Sequence, residues 1–142
     1  MKRLLVVVNF MVLVVGMAVL YPHKAETQSL RLAAASPYAS LSDAATIIWS
    51  INGAYAANAT VTIAGNRTLN ITGPVSGGTY LLKVVQDGTG SRTLTLGSGC
   101  SWKVISGGAG AITLSTAANS IDIISFSYDG ANCYANLGKN YS

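Results

Sequence analysis

One histidine, His23, two cysteines, Cys100 and Cys133, and five acidic residues are the side chains from which this 142-residue chain would have to build acid-base, nucleophilic or metal chemistry. His23 lies between Pro22 and Pro37 in a stretch of Ala, Ser and scattered charge, outside the β-patterned region. No Ser-His-Asp or Cys-His arrangement can therefore be assembled inside a fold, and a site with several histidine ligands is excluded by number. The aspartates from Asp43 onward could supply the carboxylate pair of a glycosidase or the oxygen ligands of calcium. Asp87 and Asp129, however, each precede a glycine. A carboxylate there bonds to the backbone of its own turn, and the glycine takes up the conformation other residues resist. The stretch SGGAG, Ser106–Gly110, lacks the Gly-Lys-Ser/Thr ending of a phosphate loop, and no helical period follows it. The expectation is a protein without catalytic residues, cofactor or metal, working through its surfaces.

Charge narrows the partners. The formal net charge is +4, but Lys2, Arg3, Lys24 and Arg31 set against Glu26 carry most of it. From Ser42 onward the charges nearly cancel. Binding to nucleic acid would need Lys and Arg clustered on the fold with aromatic side chains between them to stack on bases; no such cluster exists, so no nucleic-acid partner is expected.

Lys2 and Arg3 precede an apolar run, Leu4–Leu20, broken only by Asn9 and Gly16. Its length suits an export signal, a short membrane anchor or an apolar arm buried in an assembly, and hydropathy does not separate the three. No small-x-small cleavage site stands just past the run. Residues 1–20 are read as this apolar segment, 21–44 as a linker or extended arm, and 45–142 as a folded β module. An exported or membrane-tethered surface protein, secreted or held at the cell surface by the apolar segment, is the competing location.

The β reading rests on period and punctuation. ATIIWSI, ATVTIAG, NRTLNITG, TYLLKVV, SRTLTL, SWKVI, AITLS and IDIISFSY are short runs rich in Val, Ile, Thr, Tyr and Phe, separated by Gly, Asn and Asp. Val61 and Ile63 alternate with Thr60 and Thr62, and Leu69 and Ile71 with Thr68, Asn70 and Thr72, so one face is buried and the Thr face is solvated. Gly65-Asn66 reads as a hairpin turn, as does Asp129-Gly130. Ile121, Ile123 and Phe126 are read as core residues of the penultimate strand. The fold class expected is all-β: a single antiparallel β-sandwich or jelly-roll-like domain preceded by the apolar segment and linker. The two cysteines either form one disulfide, stapling the loop at Cys100 to the final strand, or remain separate thiols. Sequons at Asn58, Asn66, Asn70 and Asn140 matter only in a host that glycosylates exported proteins.

The succession GTYLLKVVQDGTGSRTLTL, a Trp-Lys strand and TAANSIDIISFSYDGANCYANL resembles a β module of bacteriophage virion proteins: tail-fibre, head-fibre and capsid-decoration polypeptides. Within it the pattern D-x-x-x-F-x-x-D-G-x-x-x-Y is met by Asp122, Phe126, Asp129, Gly130 and Tyr134. The resemblance spans roughly residues 45 to 142. It implies non-catalytic structural duty on the virion exterior, as a homo-oligomer among other virion or surface structural proteins, with contact to a host-surface glycan in some members. Trp49, Trp102, Tyr128 and Tyr134 are then the candidate interface aromatics, since aromatic side chains dominate interface energetics. The reading from another class is a carbohydrate-binding or filament-forming surface module.

Overall fold

The computed structural model describes residues 37–51, 56–105 and 112–141. The apolar segment, His23, most of the linker and the SGGAG stretch lie outside the described residues. Nine strands are described: β1 (Tyr38–Ser40), β2 (Thr46–Ser50), β3 (Asn58–Ile63), β4 (Arg67–Thr72), β5 (Thr79–Gln86), β6 (Leu94–Leu96), β7 (Ser101–Val104), β8 (Ile121–Tyr128) and β9 (Asn132–Tyr141). They form a six-stranded sheet in the order β1-β3-β5-β8-β9-β7 and a three-stranded sheet in the order β2-β4-β6. The first strand falls within the segment that the sequence assigns to the linker.

The all-β class with packed sheets is the one the sequence indicates, but the pairing inside it is largely parallel. β1–β3, β3–β5, β2–β4, β4–β6 and β7–β9 are parallel pairs, and only β5–β8 and β8–β9 are antiparallel. Parallel neighbours need a crossover. In the first four of these pairs the crossover is a strand of the opposite sheet, so the chain winds through three flattened turns, β1–β2, β3–β4 and β5–β6; β7 and β9 are instead joined through β8 of their own sheet, and the β8–β9 hairpin closes against β5. Gly65-Asn66 is accordingly a corner between sheets and not a hairpin turn: β3 and β4 lie in different sheets. Short polar residues fit such corners because they bond to the next turn. Asn66 Oδ1 accepts from the Thr93 amide at 3.1 Å, and Asn70 Oδ1 from Ser98 at 2.9 Å. The Asp43 carboxylate in the first corner accepts from Arg67 in the second turn at 2.7 Å.

Inward residues follow the expected period of two in the coil. Ile47, Trp49, Val61, Ile63, Leu69, Ile71, Leu82 and Val84 are buried, while Thr46, Thr62, Thr72 and Thr95 are exposed. The centre is aromatic. Phe126 packs edge-on to Trp49 and Trp102, with centroids 5.7 and 5.1 Å away, and lies tilted to Tyr80 at 5.1 Å. Both indole N–H groups are satisfied: Trp49 donates to the Ala56 carbonyl at 3.0 Å and Trp102 to Gly97 at 2.9 Å. That is what allows aromatic side chains with a polar edge to be buried.

In β8 Phe126 is a core residue as read from the sequence, but Ile121 and Ile123 are not. Asp122, Ile124 and Phe126 face inward, and Ile121 and Ile123 face outward. A carboxylate between two isoleucines reads as the solvated position. It is buried here because residues 115 and 140 supply the hydrogen bonds it needs.

Candidate functional site

The residues that carry the D-x-x-x-F-x-x-D-G-x-x-x-Y pattern are brought together by β8, its turn and β9, and each has a structural task. Asp122, 2% exposed, accepts from the Ser115 amide at 2.6 Å, the Ser115 hydroxyl at 2.7 Å and the Asn140 amide at 2.8 Å. It ties the segment before β8 to the end of β9. Phe126 fills the aromatic centre. Asp129 accepts from the amides of Ala131 at 2.9 Å and Asn132 at 2.7 Å, and from the Tyr134 hydroxyl at 3.0 Å. Gly130 takes φ of 109°, a conformation that strains any residue with a Cβ. These donors, the Asn132 amide first, hold the Asp129 carboxyl well below the usual carboxylate range.

The remaining aspartates are engaged likewise. Asp87 accepts from the amides of Thr89 and Gly90 and pairs with Arg92 at 2.8 Å. The Arg92 guanidinium is the main cause lowering its pKa to about 2. Buried Gln86 completes that loop, donating to the Arg92 carbonyl and accepting from the Arg92 amide, both at 2.9 Å. The Arg67 hydrogen bond lowers Asp43. A carboxylate held ionised by fixed donors is suited to fixing a turn and unsuited to shuttling a proton at neutral pH. Among the described residues no group of three His, Cys, Asp or Glu side chains is placed to hold a metal ion.

The four aromatic residues read as interface anchors divide. Trp49 and Trp102 are 0% and 5% exposed and belong to the core; their rings already have partners inside the chain, so they cannot serve as surface anchors. Tyr128 is half-buried, its hydroxyl donating to the Gly130 carbonyl at 2.6 Å. Tyr134 is 51% exposed on the outer face of the six-stranded sheet. Cys100 and Cys133 are bonded as a disulfide with Cα atoms 5.9 Å apart, joining the stretch after β6 to β9. Cys133 is fully buried opposite Trp102.

Two surface features were not read from the sequence. One is an open cleft of about 440 Å³ between residues 113–117 and the Lys139–Asn140 end of β9, where Thr113, Ser115, Thr116, Lys139 and Asn140 share the lining with Leu114 and Ala117. It depends on Asp122 drawing the two segments together, a contact no local pattern announces. The other is the outward row of β5 and β8, where Leu81, Val85, Ile121 and Ile123 stand at positions the alternation assigns to solvent. Its only signal was the isoleucine pair, which the period assigns to the core when Asp122 is taken as exposed.

Residues 45–133 match the family model described as Putative phage tail fibre C-terminal domain. No curated protein and no solved structure matches the chain.

Proposed function

This chain belongs to the phage tail fibre C-terminal domain family, and from that premise we propose that it is a non-enzymatic fibre subunit on the exterior of the virion that associates with further copies of itself. The observation that supports the reading most is the span of the family match, which runs from the start of β2 to the first residues of β9 and so takes in strands of both sheets. The use of the ionisable residues agrees with it. Asp43, Asp87, Asp122 and Asp129 fix corners and turns, and a fibre subunit requires from them nothing else. Fibre duty is preferred to capsid decoration because the matched family is described by the tail fibre.

The test is tandem mass spectrometry of purified virions before and after mild protease treatment. Peptides of residues 38–141 should be present and should decline on treatment while internal head proteins do not. Their absence from gradient-purified particles would reject the reading.

One observation favours a second role for the same subunit, contact with a host-surface saccharide: the cleft beside Asp122 presents Thr113, Ser115, Thr116 and Asn140 with Lys139, groups that pair with sugar hydroxyls. Lys139→Ala and Thr116→Val should then reduce adsorption to host cells without altering particle yield. Unchanged adsorption by both variants would remove this role.

A further inference from the structure

The four described aspartates are all occupied by donors of the protein itself, and that engagement decides which charges the surface has left over. Arg67 and Arg92 pair with Asp43 and Asp87. Asp122 and Asp129 are filled by amides and hydroxyls. Lys83, Lys103 and Lys139 make no ion pair among the described residues. Lys83 sits over the Tyr38 ring, and Lys103 stands on the edge strand β7. Lys139 lines the cleft of about 440 Å³, a volume inside the range of about 300 to 1,000 Å³ usual for small-molecule sites.

The cleft is rich in donors that the fold does not use. The Lys139 ammonium, the Thr113 and Thr116 hydroxyls and the Asn140 side-chain amide make no hydrogen bond to another described residue. The acceptors beside them are neutral. Ser115 gives its hydroxyl proton to Asp122 at 2.7 Å, so its oxygen is left only to accept. Asp122 is 2% exposed, and both its oxygens already accept from Ser115 and Asn140. An anionic group entering the cleft therefore meets a cation and several donors, and no exposed carboxylate to repel it. Leu114, 5% exposed, and Ala117 add apolar lining suited to the C–H face of a sugar ring.

The backbone carries an independent sign at the same place. Among the described non-glycine residues, positive φ occurs at Ser91, Asn119 and Asn140, with values from 58° to 61°. Asn140 lines the cleft, Asn119 stands two residues past the 113–117 wall, and the Ser91 amide holds that wall by donating to the Thr116 carbonyl at 2.9 Å. Such conformations persist where the surrounding structure fixes them, and they gather at ligand clamps.

We infer that the cleft takes a saccharide unit bearing an anionic group, a carboxylate or a phosphate, with Lys139 holding the charge and Thr113, Thr116 and Asn140 the neighbouring hydroxyls. The inference rests on the saccharide role proposed above and narrows its ligand class. The test is a chemical-shift titration of the ¹⁵N-labelled full chain with methyl glucuronide, glucose 6-phosphate, methyl glucoside and inorganic phosphate. The amides of Thr116 and Lys139 should shift, and an anionic sugar should bind roughly ten times more tightly than the glucoside. Lys139→Gln should bring the anionic sugar down to the affinity of the glucoside, and Lys103→Gln should not. Tight binding of the glucuronide alone would assign the carboxylate, and of glucose 6-phosphate alone the phosphate; either supports the inference. Equal affinity for glucoside and anionic sugars, or no effect of Lys139→Gln, would overturn it while leaving the saccharide role intact. Inorganic phosphate bound as tightly as glucose 6-phosphate would overturn it by showing a bare anion site. No response to any of the three sugars would instead reject the saccharide role itself.

Discussion

At the scale of single residues, the described aspartates act as fasteners. Asp87 is lowered to about 2, first by its bond to Arg92, and Asp129 is lowered further, first by the Asn132 amide. Both values lie below the ordinary value of 3.8. A carboxyl depressed on folding contributes stability that is complete above its unfolded pKa and is lost as pH falls through its folded pKa. The melting temperature should therefore be flat from about pH 6 to 8 and fall between about pH 5 and 2. Asp129→Asn should melt lower at pH 7 and show a shallower acid fall; an unchanged slope would contradict the role given to the turn. Asp122 is the sharper case, since its three donors are left unpaired by removal of the carboxylate. Asp122→Ala should lower the unfolding free energy by about 3 kcal/mol in urea titration, and a loss under about 0.5 kcal/mol would show that water replaces the side chain.

At the scale of elements, the strands were legible and their partners were not. Val61, Ile63, Leu69 and Ile71 alternate cleanly with polar residues, and the chain folds them as read. Gly65-Asn66 misled because a glycine-asparagine pair suits a hairpin and a corner between sheets alike. What separates the two is the identity of the strand that returns beside β3, and that strand is β5, beginning sixteen residues beyond the end of β3. Ile121 and Ile123 were misread as core, while Phe126 was read correctly, for a related reason: Asp122 is buried by contacts from residues 115 and 140, neither of them on its own strand. The staple between Cys100 and Cys133 spans a sequence separation of 33. Reduction should cost about 3 to 4 kcal/mol through the greater freedom of the unfolded chain. Cys100→Ser and Cys133→Ser should then each melt near the reduced wild type in differential scanning calorimetry, and melting unaffected by reductant would show the staple to be idle. Gly99, at φ of 118° and packed against the Ile71 backbone, should not accept alanine without a drop in melting temperature of several degrees.

At the scale of the whole molecule, the buried apolar side chains of the described residues are gathered into one core. The aromatic centre around Phe126 holds the two sheets together, and Phe126→Ala should cost about 3 to 5 kcal/mol. Family membership and the structural use of every described aspartate agree with the fibre subunit proposed above. The measurement that addresses this most directly is immunogold electron microscopy of intact virions, with antibody raised against the folded β module. Gold confined to the fibres is the predicted result. Unlabelled particles in a preparation whose lysate contains the protein, or label confined to host membrane, would contradict the account.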